Sequence, residues 1–353
     1  MNKNRKLKKR KLRLWVRISF IVGCSIISLV LLNLILFYNQ IQTITSIGKI
    51  SNAPAYELTY HGDYKFDKYL ETSATTEVDL NRFLKNNLLY RIGNLDYKDH
   101  GCTGFYATTP DGDLIFARNF DAQSGTAAVL KTAAGYKSIS MSDLSWCGWD
   151  KSSNISISEM ILSLASPYLI TDGMNENGVA AAVFSLKDPK TSADSNVTTI
   201  NDLTVLRLVL DKATCVDEAI ELIKQYDTSL NLNTQSHYMI ADANGNSAVI
   251  EYIAEKMKII YKKGSYQIIS NFLLYDNDNP TLIGDGADDR YWNYDSALSK
   301  TKGIISTENA LALLKENTVK GLEQWSVVYN LTQKTMSVTF YGDYENVYTY
   351  AIE

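Results

Sequence analysis

Ile18 to Phe37 is a run of twenty residues that is apolar apart from Ser19, Ser25, Ser28 and Asn33. At 1.5 Å of rise per residue, a helix of that length matches a hydrocarbon core of roughly 30 Å. A helix also satisfies its own backbone hydrogen bonds where no water can. The run therefore predicts a membrane-spanning anchor, 18–38, and leaves the remainder to fold outside the bilayer. Nine Lys or Arg fall within the first 17 residues, with no acid among them. Basic clusters stay on the cytoplasmic side, so 1–17 is expected to be a cytoplasmic tail and everything after Asn39 to be extracytoplasmic. A cleaved signal peptide has a shorter apolar region and a small-x-small site, and neither is evident just after Phe37.

The formal net charge of −4 hides an asymmetry. Of the 35 basic residues nine lie in the tail, which leaves 26 against 39 acidic ones. An acidic body argues against nucleic acid as a partner. With 45% apolar and 21% charged residues, the chain can bury the core of one globular domain of roughly 200 to 300 residues. Four cysteines are too few for a disulfide scaffold, and Cys24 lies in the apolar run. Of the others, Cys147 and Cys215 are open to one bridge or to two buried free thiols.

Residues 39–101 read as an extracytoplasmic stalk or prosegment, because 40–75 lack a firm period. Within it Leu80, Phe83, Leu84, Leu88 and Ile92 recur at three- and four-residue steps and predict an amphipathic helix near 77–92. From Cys102 to the C-terminus the pattern changes to short apolar runs: 103–108, 114–119, 179–186, 237–241, 248–253, 259–261, 266–270, 325–330 and 337–341. Turn signals at Pro110-Asp111-Gly112, Asn244-Gly245-Asn246 and Lys262-Lys263-Gly264 join several of them as antiparallel neighbours. Helices are expected at 157–165, 199–212, 216–226 and 307–316, with Asp217 and Thr307 as caps. Hairpins with helices between them predict sheets covered by helices.

The chemistry concentrates at one hairpin. Cys102 opens its first strand, and Arg118 and Asp121 end the second, sixteen and nineteen residues later. That length brings the far strand's end back beside Cys102, so the three side chains are expected to share one small volume. Most strand cysteines are small buried apolar residues. A thiol beside a permanent cation is different, since Arg118 favours the thiolate and Asp121 can orient donors.

Cys102-Thr103-Gly104 followed by Gly112 to Asp121 resembles the N-terminal nucleophile segment of the choloylglycine hydrolase and acid ceramidase group of linear amide hydrolases, which also includes acyl-CoA:6-aminopenicillanate acyltransferases. Asp172 to Ala180 resembles that group's Asn-Glu-x-Gly turn and strand, Ile269-Ser270-Asn271-Phe272 its oxyanion segment, and Asp288-Asp289-Arg290-Tyr291 its downstream arginine segment. The order of these motifs is more specific than any one of them. The resemblance implies an α+β fold, a four-layer αββα Ntn-hydrolase sandwich with mostly antiparallel sheets, over 102–353. It also implies cleavage of Gly101-Cys102 by the cysteine itself, which frees an α-amine. A free α-amine has a pKa of about 7.7 to 8.0 and can take the thiol's proton near neutral pH.

The implied reaction is hydrolysis of a small-molecule acyl amide through a Cys102 thioester. Asp121 would hold the ammonium, Arg118 would stabilise the thiolate, Asn271 would donate to the oxyanion, and Arg290 would brace the carboxylate. No cofactor is implied. Bile salt hydrolases carry an asparagine ten residues after the turn asparagine, whereas this chain has Ser185 ten residues after Asn175. Asn175 itself reads as the residue that closes the turn. Transfer of the acyl group to an amine, and a membrane-anchored binding module without turnover, are the competing readings. Retention of Cys102, Arg118, Asp121, Asn271 and Arg290 together speaks against the second.

Other candidates are weaker. Asp276, Asp278, Asp285, Asp288 and Asp289 lack a calcium-loop pattern, with Pro280 near their middle. His61, His100 and His237 have no zinc spacing, and His100 would leave with the prosegment.

Overall fold

The computed structural model describes residues 2–50, 53–72, 76–89, 91–93, 95–98, 100–123, 125–149, 155–186, 198–228, 235–253, 256–275 and 287–353. Helix α1 (Asn2–Leu36) contains the apolar run, and α2 (Tyr38–Thr45) continues it. Arg13–Leu36 is long and apolar enough to be a membrane span or a signal sequence, and its side chains contact no core.

The segment expected as a stalk is knitted into the body. Strands β1 (Gly48–Lys49) and β2 (Ala55–Thr59) precede helices α3 (Phe66–Leu70) and α4 (Glu77–Asn87). Tyr56, Leu58, Tyr64, Tyr69, Leu80 and Leu84 are all buried in the main core. Their spacing changes from element to element, which is why no single period marks the segment. Helix α4 begins where the periodicity places it, with the Thr76 side chain accepting from the Asp79 N–H, and ends at Asn87 rather than near Ile92.

The rest of the chain runs β3 (His100–Thr108), β4 (Leu114–Ala122), β5 (Ala127–Thr132), β6 (Ser138–Asp143), α5 (Ile157–Leu162), β7 (Ile170–Asn175), β8 (Ala180–Leu186), β9 (Thr198–Thr199), α6 (Asp202–Lys212), α7 (Val216–Ile223), β10 (Tyr226–Asp227), β11 (Gln235–Ala241), β12 (Ser247–Ile253), β13 (Lys256–Tyr261), β14 (Gln267–Ile269), α8 (Ala287–Lys300), α9 (Thr307–Glu316), β15 (Glu323–Asn330), β16 (Thr335–Phe340) and β17 (Tyr348–Ala351). One nine-stranded sheet has the order β1-β2-β5-β6-β7-β8-β11-β12-β13 and a six-stranded sheet the order β14-β3-β4-β15-β16-β17. Within both, pairing is antiparallel except for β2 with β5. Helix α6 packs on β7 and β8, helices α8 and α9 pack on the smaller sheet, and β3 meets β8 between the sheets.

Several elements differ from the sequence reading. Strands β5, β6 and β7 were not expected; their Ser, Thr, Asp and Gly residues are buried by neighbouring strands rather than exposed in loops. Helix α6 starts at Asp202 with Asn201 as its cap, and 198–199 belongs to a short strand. The caps shift by one or two residues: Ser306 rather than Thr307 accepts the Asn309 N–H at the start of α9, while Cys215 precedes α7 and Asp217 sits in its first turn. Cys147 and Cys215 are free thiols, so no bridge links them.

Candidate active site

Alternation along β3 and β4 sorts the site onto two faces. The register sets Cys102 opposite Phe120 and Gly101 opposite Asp121. Residues two apart share a face, so Cys102, Phe120 and Arg118 point one way and Asp121 the other. The expected single volume is thus two half-sites on either side of one strand pair.

On the first face, Arg118 is fully buried and donates to four acceptors. Nη2 contacts Cys102 Sγ and, at 2.9 Å, the Val183 carbonyl. Nη1 donates to the Thr171 carbonyl and to Asp172 Oδ2 at 3.0 Å. The guanidinium also lies 4.9 Å from the Phe184 ring centroid and 5.3 Å from that of Phe120. Asp172 is held in turn by Trp325 Nε1 at 3.1 Å and Tyr329 OH at 2.5 Å, and Trp325 stacks on Phe120 with centroids 4.0 Å apart.

This surrounding does not make a thiolate. Burial pushes the Cys102 thiol up to about 11, and the pull of Arg118 only partly offsets it. The sulfur of the uncut chain is therefore a protonated thiol that needs a base. Burial, aided by Arg118, pushes His100 down to about 4, so this half-buried ring is neutral where it stacks on Phe120.

The second face surrounds the main chain of Gly101 and Cys102. The Cys102 N–H donates to Asn271 Oδ1 at 2.9 Å, and Arg290 Nη2 donates to the same oxygen at 3.3 Å. Arg290, near the start of α8, forms a short ion pair with Asp121 Oδ2. Asp121 is almost fully buried and its Oδ1 has no hydrogen-bond partner. Burial raises its pKa while Arg290 opposes the rise. Asn271 Nδ2, the donor an oxyanion needs, is engaged at 2.7 Å by the Ser185 carbonyl.

The other four expected residues therefore gather around Cys102: Arg118 contacts its sulfur, Asn271 its backbone N–H, and Arg290 joins Asn271 to Asp121. Asp172 is the residue that sequence reasoning passed over; it stands inside the Asp172 to Ala180 motif but was read only as part of a turn. Asn175 closes that turn, its Oδ1 accepting from the Asn177 and Val179 amides and its Nδ2 donating to the Leu210 and Ala213 carbonyls. Phe184 faces Arg118, so alternation turns the Ser185 side chain the other way and only its carbonyl reaches Asn271. No group of three or more His, Cys, Asp or Glu gathers around one point among the described residues. Asp276, Asp278 and Asp285 lie outside the described residues. A cavity of about 470 Å³ lined by Tyr60, His61, Lys131, Lys137 and Ile352 touches none of the five.

Residues 102–277 match the family of linear amide C-N hydrolases, choloylglycine hydrolase family. The chain is 33% identical over 118 residues to penicillin V acylase of Pectobacterium atrosepticum, covering 30% of this chain and 31% of that protein. It is 26% identical over 172 residues to the bile salt hydrolase/transferase of Clostridium perfringens, covering 45% and 50%. The aligned region thus spans about a third to a half of these relatives. Among solved structures, a mutant conjugated bile acid hydrolase from Clostridium perfringens covers 71% of this chain and 92% of its own at TM-score 0.49 and 18% identity. Penicillin V acylase from Agrobacterium tumefaciens covers 71% and 86% at TM-score 0.48 and 18% identity.

Proposed function

Residues 102–277 belong to the linear amide C-N hydrolases of the choloylglycine hydrolase family, and from that premise we infer that the chain hydrolyses a small-molecule acyl amide with Cys102 as an N-terminal nucleophile. The carrying observation is the division of labour around Cys102: Arg118 addresses its sulfur, while Asn271, Arg290 and Asp121 gather at its main chain. A cysteine whose backbone nitrogen is to become a catalytic amine calls for that arrangement. The buried, unpartnered Asp121 Oδ1 is then the acceptor awaiting an ammonium N–H. The family match also begins at Cys102 itself.

In the first step Sγ attacks the Gly101 carbonyl carbon. The C–N bond to Cys102 breaks as the nitrogen takes the thiol's proton, which frees the Cys102 amine, and water hydrolyses the resulting thioester to a Gly101 carboxylate and the Cys102 thiol. In turnover that amine takes the thiol's proton, the thiolate attacks the substrate carbonyl, and the proton passes to the leaving nitrogen. Water then releases the acid. Asn271 Nδ2, freed from Ser185, stabilises the oxyanion, where loss of one donor costs roughly 100 to 1,000-fold in rate. Arg290 holds Asp121 in place and Arg118 holds the sulfur.

The same reading gives the two packed sheets with helices on both outer faces the layer order αββα, and assigns 102–353 as the catalytic domain. It makes α1 a membrane anchor with a cytoplasmic tail and an extracytoplasmic body.

The test is the N-terminus. Purified full-length protein is expected to yield, by intact mass, a fragment beginning at Cys102, and Cys102→Ala to stay whole. The wild type should release amine from at least one member of a panel of N-acyl amides of graded chain length, which includes penicillin V. Amide turnover by chain whose Gly101-Cys102 bond is intact would sink the mechanism.

A further inference from the structure

We propose that His237 and Glu251 are positioning residues that set Asn271 for its role at the reaction centre, an inference that rests on the oxyanion reading of Asn271 given above. Strands β11 and β12 pair with Tyr238 opposite Ile250, and one step along that register His237 stands opposite Glu251. Both side chains are fully buried. Burying a carboxylate and an imidazole costs free energy unless every polar atom is answered. Here each is answered by the segment that carries Asn271.

His237 Nε2 lies 2.7 Å from the Ser270 carbonyl and Nδ1 lies 3.1 Å from Glu251 Oε1. A carbonyl only accepts, so Nε2 carries the proton toward Ser270, and Nδ1 faces the carboxylate of Glu251. Glu251 Oε1 and Oε2 accept the Leu274 and Tyr275 amides at 2.8 and 2.9 Å. Asn271 is thus gripped from both sides, one residue before it and three and four after it. Asn271 lies two residues beyond the end of β14. Asn271 in turn bridges the Cys102 N–H and the Ser185 carbonyl. An oxyanion donor displaced by about 1 Å loses roughly a hundredfold in rate, so the clamp matters to chemistry as well as to stability.

Two measurements test it on the full-length protein. By hydrogen exchange, His237→Phe and Glu251→Gln should speed exchange of the 270–275 amides by about tenfold or more, with α6 and α7 unchanged; unchanged protection of 270–275 overturns the clamp whether or not any amide is turned over. On the N-acyl amide that the wild type hydrolyses fastest, His237→Phe should lower kcat by about 10 to 100-fold with KM within about twofold. The same change made on top of Asn271→Ala should cost less than about twofold more. His237→Gln, which keeps a donor for Ser270, should recover part of the rate. Equal losses in both backgrounds would make the pair merely structural. Faster exchange in the variants, with a wild type that hydrolyses no amide, would instead remove the hydrolase reading and leave the clamp standing.

Discussion

Arg118 is a cation with no solvent exposure, and Asp172, equally buried, is its ion-pair partner. Removing one member of a buried pair leaves the other uncompensated, which costs about 3–5 kcal/mol. Asp172→Asn keeps the shape of the side chain and is expected to lower the unfolding free energy by that amount in denaturant titration. It should also slow Gly101-Cys102 cleavage, because Arg118 loses the anchor that aims it at the sulfur. The thiol offers a second check at this scale. A pKa near 11 leaves roughly one thiolate in a thousand at pH 8, so chain with an intact Gly101-Cys102 bond should resist iodoacetamide at Cys102 up to about pH 10, its labelling rising only above that. Rapid labelling at pH 7 before cleavage would refute the protonated, buried state. Cys102, Arg118 and Asp121 were legible in the sequence because a hairpin ties them together within twenty residues. Asp172, Trp325 and Tyr329 were not, since their meeting depends on β7 and β15 arriving from distant parts of the chain.

At the scale of elements, the hairpin was readable and the face each residue takes was not drawn from it. Gly112, at φ +88°, allows the turn that Pro110-Asp111-Gly112 announces. The register that follows separates Asp121 from Arg118, and this separation divides the groups beside the Cys102 main chain from those at its sulfur. Strands β5 to β7 escaped notice because a strand flanked on both sides can bury Ser, Thr and Asp among backbone hydrogen bonds, which blurs the alternation that reveals an exposed strand. Helix α8 escaped because Ala287 to Arg290 opens it with three charges in four residues; it supplies Arg290 to the site and Tyr294 and Leu298 to the core. Close approach of the two sheets can be tested at Gly104, opposite Arg118. A methyl group there would lie 2.9 Å from the Ala117 carbonyl oxygen and 3.0 Å from the Phe184 ring. Gly104→Ala is expected to cost about 1–3 kcal/mol by overpacking and, by moving Phe184 off Arg118, to slow cleavage as well. A variant with unaltered stability and rate would show that the sheets are not in contact there.

At the scale of the whole molecule, the proposed cleavage at Gly101-Cys102 would sever α1 and the segment up to Gly101 from the proposed catalytic body, and packing decides whether the two then part. Strands β1 and β2 form one edge of the nine-stranded sheet, so release of the N-terminal piece would strip β2 from β5 along five residue pairs and leave β5 as an unpaired edge. Tyr64 OH donates to Asp211, Tyr69 OH accepts the Asn201 amide, and the Asp96 amide donates to the Trp146 carbonyl. Tyr56, Leu58, Tyr69, Leu80, Leu84 and Leu89 are all at most 2% exposed. At about 1.5–3 kcal/mol for each fully buried large apolar side chain, these six already match the roughly 4–15 kcal/mol cost of holding two separate chains together. The strand's hydrogen bonds and the remaining buried aromatics are surplus. The cut protein is therefore expected to persist as a two-chain complex, with α1 still attached to the catalytic body. With an affinity tag before Asn2, native purification should retain the Cys102 fragment on the tag, denaturing electrophoresis should resolve two pieces, and only strong denaturant should separate them. A parallel sample, Cys102→Ala with a protease recognition sequence inserted directly after Lys98, which is exposed, cuts the chain just before β3 independently of self-cleavage. Recovery of the catalytic fragment in the unbound fraction, from either sample, would show that cleavage releases the enzyme.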